Sequence, residues 1–191
     1  MNTTDLFVEL IITGIGALAW LILLFFSAFG VSSIEVDKLV SVPVLIPLLS
    51  LAYVLGIVID RVSDSLFENL WGKKLFGQFY KNRTDYFDDR TYIYVHAAKL
   101  ADLMEYGRSR MRICRGSALN AVLLLVSLNL FTWTQIADVA LRWRISLFGS
   151  LFWIALACGT WFTWYRLTLN NHRRAKEQAE FLRALKADES K

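Results

Sequence analysis

The chain has 191 residues, 55% of them hydrophobic, with a formal net charge of +4. Uncharged stretches take up about half of it, which excludes a separate soluble catalytic domain of ordinary size. The basic excess sits beside the apolar stretches, where topology and anionic lipid headgroups account for it. No RNA- or DNA-binding module accompanies it, so nucleic acid is not an expected partner.

Residues 10–34, 39–59, 116–137 and 145–165 contain no Asp, Glu, Lys or Arg. The shortest holds 21 residues, which as a helix reaches about 32 Å and crosses a hydrocarbon core of roughly 30 Å. The expected fold is therefore an all-α membrane protein with four transmembrane helices and helical cytoplasmic extensions of spans two, three and four. Residues 1–191 form one four-span membrane domain, with a cytoplasmic helical hairpin loop at 60–115 and a cytoplasmic C-terminal helix at 166–191. Of the basic residues, 18 fall in 60–115 and the tail, against 3 on the other side, Lys38, Arg142 and Arg144. That asymmetry predicts both termini in the cytoplasm, in a bacterial-type inner membrane.

Span one has no basic residue ahead of it, and its apolar core exceeds the roughly 7–15 residues of a signal peptide. With Glu9 at its mouth, it reads as a retained helix. Span two continues past the apolar stretch through Val62, Leu66, Phe67, Leu70 and Trp71, until Gly72 is expected to break it. After a turn-rich segment, a second helix is expected to take Asp88 or Asp89 as its cap and run from Tyr92 through Tyr106, with Gly107 as a kink point.

Ala52, Gly56, Asp60, Asp64 and Glu68 recur every four residues, a row that is small inside the bilayer and acidic just outside it. Arg108, Arg112 and Arg115 share one face of a continuous helix leading into span three. In antiparallel register Asp60 would meet Arg115 or Arg112, Asp64 would meet Arg112, and Glu68 would meet Arg108. Ala52 and Gly56 would let spans two and three approach at Gly116 and Asn120. This ladder reads structurally as a salt-bridged hairpin and functionally as a gate whose pairs break when the hairpin rotates.

Gly56-x-x-x-Asp60-x-x-x-Asp64 also resembles the second half of the signature of CDP-alcohol phosphotransferases, over nine residues. The resemblance implies clustered aspartates that bind a metal and activate a nucleotide-linked lipid. That family's upstream Asp-Gly and Ala-Arg pairs have no counterpart in 41–55, so a metal-dependent lipid-modifying enzyme ranks behind the other readings.

Arg110 points about 160° away from Arg108 and Arg112 on a helical wheel. Together with Arg173 and Arg174 it is a candidate contact for anionic lipid or a cytoplasmic protein partner. Within span three, Asn120, Ser127 and Thr134 follow a seven-residue spacing, and Asn129 lies opposite, so both faces of this helix meet protein. The stripe reads as interhelical packing, or as the lining of a pore in an assembly of copies. Ala155, Gly159 and Thr163 give span four a packing face of small residues. In the tail, Arg173–Glu177 and Lys176–Glu180 are i, i+4 pairs, and Ala175, Gln178, Leu182 and Leu185 form the stripe that docks it on the other cytoplasmic helices.

Cys114 and Cys158 lie at different depths and are not expected to form a disulfide. No nucleophile with a base, zinc-protease helix or phosphate-cradling glycine loop is present, so no enzyme activity, metal or cofactor is expected. The expected function is a homo-oligomeric multi-pass membrane component. It would act as a regulated pore or as a membrane-seated receptor signalling through its cytoplasmic helical cap. A non-conducting scaffold subunit is the alternative.

Overall fold

The computed structural model describes residues 3–30 and 42–189. The expected loop between spans one and two, with Lys38, lies outside them. The helices are α1 (Thr3–Phe29), α2 (Val42–Phe67), α3 (Lys73–Phe76), α4 (Arg83–His96), α5 (Ala98–Gln135) and α6 (Val139–Glu189), with no strand among the described residues. Four of them, α1, α2, α5 and α6, are long and apolar enough to cross a membrane. α1 ends at Gly30, whose φ of 82° is the left-handed geometry that closes a helix at small cost only for glycine.

α1 lies between α2 and α5, and α5 in turn packs along α6. Missing side chains set the first of these contacts. A Cβ at Gly14 would overlap the Ala52 carbonyl oxygen, and one at Gly56 would overlap that of Leu10, so these two backbones touch. Ala52 and Gly56 therefore meet α1, and not Gly116 and Asn120 of α5 as their spacing suggested. On the other side of α1, Gly16 rests against the Asn120 side chain and Gly116 against the Thr13 methyl group.

α2 does not stop at Gly72. It widens at Glu68–Gly72 into a π-helical turn, in which the Lys73 amide donates to the Glu68 carbonyl, and resumes as α3. The extra residue rotates the helix face, so that Phe67, before the turn, and Leu75, after it, both reach the buried cluster with Ala118 and Trp164. Trp71 packs edge-on against Trp161, at 5.8 Å between centroids.

α4 starts at Arg83, earlier than expected, because Asp89 is spent elsewhere. Asp89 is buried and accepts an ion pair from Arg183 of α6 at 2.8 Å, so it does not cap a helix. The break before α5 falls at Ala97 (φ −146°, ψ 74°), and α5 runs through Gly107 as one helix. The end of α6 docks here: Ala175 and Ala179 are fully buried against Ile93 and Met104, with Leu182 beside them and Leu185 exposed.

Candidate functional site

Where the charged ends of α2, α5 and α6 converge they enclose a cavity of about 570 Å³. α2 contributes Asp60, Arg61, Asp64 and Glu68, and α5 contributes Glu105, Arg108, Met111, Arg112 and Arg115. Trp164, Thr168, Asn171 and His172 of α6 face them, and Gly72, Lys73, Phe76, Arg83 and Tyr86 line the end. All six residues of the proposed ladder thus line one space, although their pairing differs from the expected register.

Arg115 carries the junction. It donates to Asp64 and lies 3.7 Å from Asp60. Arg112 is drawn the other way, to Glu9 of α1, at 3.6 Å. Glu9 is only 7% exposed and also accepts a hydrogen bond from Ser109. The sequence-based register assumed that α2 alone faced α5, whereas α1 lies against α5 too and supplies a carboxylate of its own. Glu68, one turn further out, pairs with Arg83 and not with Arg108. Glu105 accepts from the Tyr94 hydroxyl at 2.9 Å, and that bond holds its carboxyl below the ordinary range.

The four carboxylates of the cavity are therefore all engaged. Among the described residues, Arg61, Lys73 and Arg108 make no ion pair or side-chain hydrogen bond. His172 stands within a group of rings, 5.6 Å between centroids from both Phe76 and Tyr86. Its Nδ1 is buried with no hydrogen-bond partner among the described residues, and burial pushes the imidazole pKa down. No spacing pattern marks the ring group, because Phe76, Tyr86 and His172 come from three separate helices.

The span-three stripe faces α1. Asn120 donates to the Thr13 carbonyl at 2.8 Å and accepts from the Trp20 indole at 3.2 Å. Ser127 is buried and donates to Leu123, and Thr134 meets Ser27 at 3.0 Å. Within the chain the stripe is therefore part of the packing seam with α1. Asn129, on the opposite face, binds Ser146 and Ser150 of α6.

Ala155 and Gly159 of α6 are exposed, and a Cβ at Gly159 would meet nothing within 4 Å. Arg110 is exposed over the Tyr106 ring, and Arg173 and Arg174 are exposed, with Arg173 bonded to Glu177 at 2.7 Å. Among the described residues, no group of three or more His, Cys, Asp or Glu side chains could hold a metal ion. Asp60 and Asp64, which carry the phosphotransferase resemblance, both face the Arg115 guanidinium. No protein-family description, curated protein or solved structure matches this chain.

Proposed function

We propose that this is a multi-pass membrane receptor with four spans, both termini in the cytoplasm and a sensing cap built from the extensions of α2, α5 and α6. The observation that carries the reading is the charged cavity. It lies where three span-bearing helices leave the apolar layer, and its walls are held by Arg115 bridging α2 to α5 and by Arg112 joining α1 to α5. Whatever enters it competes for these pairs, and a change in them moves the helices that continue as spans. The π-helical turn in one wall supports the reading, since such widened turns recur at functional sites.

The exposed outer face of α6, with Ala155 and Gly159 among its apolar side chains, is suited to a second copy, so the receptor is proposed to be homo-oligomeric. A pore is less well supported than a receptor, because Asn120, Ser127 and Thr134 are already used between α1 and α5. Spin labels at Ala28→Cys and Ala140→Cys, in a background lacking Cys114 and Cys158, test the coupling. Arg115→Gln should shift or broaden the distance distribution between the labels at the far end of the bundle. An unchanged distribution would mean that the cap and the spans are uncoupled, and would favour the non-conducting scaffold.

A further inference from the structure

We infer that the cavity between α2, α5 and α6 binds a nucleotide, with the phosphates on Arg108, Arg61 and Lys73 and the base against Phe76, Tyr86 and His172. This rests on the receptor reading above and names the ligand class of the same cavity. Charge inventory gives the first half. Asp60 and Asp64 share Arg115, Glu68 holds Arg83, and Glu105 accepts from Tyr94. Arg61, Lys73 and Arg108 line the same space without an ion pair among the described residues, and across the whole lining six cations face four carboxylates, a positive excess of two that a phosphate anion would satisfy.

The ring wall gives the second half. Phe76, Tyr86 and His172 line one end of the cavity as a group of packed rings, against which a base can stack. A lipid headgroup or inorganic phosphate uses the cations and leaves this wall idle. A volume of about 570 Å³ lies within the roughly 300–1,000 Å³ typical of small-ligand sites.

The full chain in nanodiscs of zwitterionic lipid would be titrated calorimetrically with AMP, ADP, GMP and UMP, and separately with pyrophosphate. At least one nucleotide should bind with one site per chain, and pyrophosphate roughly tenfold more weakly. Arg108→Gln should weaken the nucleotide roughly tenfold, the loss expected for one charged hydrogen bond, while Arg110→Gln, two residues along on the opposite face of the helix and outside the cavity, should leave it unchanged. If Arg108→Gln does not fold, Arg61→Gln on the exposed part of the opposite wall carries the same expectation.

Absence of heat with every nucleotide on protein of native tryptophan emission would overturn the inference. So would equal affinity for pyrophosphate, equal affinity in Arg108→Gln, or loss of nucleotide binding when phosphatidylglycerol replaces part of the nanodisc lipid, which would assign the cations to a headgroup. These outcomes leave the receptor reading standing or falling on the spin-label distances alone, since that measurement contains no ligand.

Discussion

His172 illustrates how burial of one side chain turns into a pH dependence. Its imidazole is held below the ordinary value of 6.5 because the surrounding rings exclude water from the charged form. The unfolded chain takes up this proton at the ordinary value while the folded chain resists it. Stability is therefore fully present above about 6.5 and declines as pH falls through that value toward the lowered one. The melting temperature of the detergent-solubilised protein should fall by about 2–4 °C between pH 7.5 and 5.5, and His172→Gln should flatten that fall. His96 is exposed and common to both proteins, so it cancels from the comparison. An equal fall in the variant would assign the pH response to other groups. At the same scale, the small residues of the spans were legible as contact points, but their partners were not. Gly56 announces a close approach without saying whether α1 or α5 makes it, because the missing side chain looks the same from either neighbour.

Between elements, the acidic row of α2 and the arginines of α5 were recognisable from spacing, and they do line a common space. Their register was not recognisable, for two physical reasons. Glu9, on α1, takes Arg112 out of the ladder, and Glu68 sits in the π-helical turn, where it faces Arg83. A charge swap separates the two registers. Asp64→Arg places a second positive group against Arg115 and should lower the melting temperature. Adding Arg115→Asp should recover part of the loss, with a coupling of about 0.5–3 kcal/mol. Recovery stays partial because the new carboxylate stands beside Asp60. Arg112→Asp should recover nothing, since it faces Glu9. Rescue by Arg112→Asp and not by Arg115→Asp would restore the register read from the sequence. Helix ends were misjudged for a related reason: Asp89 has the chemistry of a cap, and only the docked tail, with Arg183 upon it, shows why it is used otherwise.

For the whole molecule, four apolar helices follow directly from four uncharged stretches, because length and hydropathy need no knowledge of neighbours. The order in which they pack does, and the central place of α1 became visible only from the glycine contacts on its two faces. Membrane orientation rests on a separate argument, the excess of basic residues in 60–115 and the tail over the opposite side. The helix bounds now give that argument well-placed probes. Asn82 precedes α4 at the basic end, and Ala137 lies in the short connection between α5 and α6 at the other. With Cys114 and Cys158 replaced, Ala137→Cys should react with an impermeant maleimide added to intact cells. Asn82→Cys should react only after the cells are opened. Labelling of Asn82→Cys from outside, with Ala137→Cys protected, would invert the molecule and place the charged cavity outside the cell, where a cytoplasmic nucleotide could not reach it.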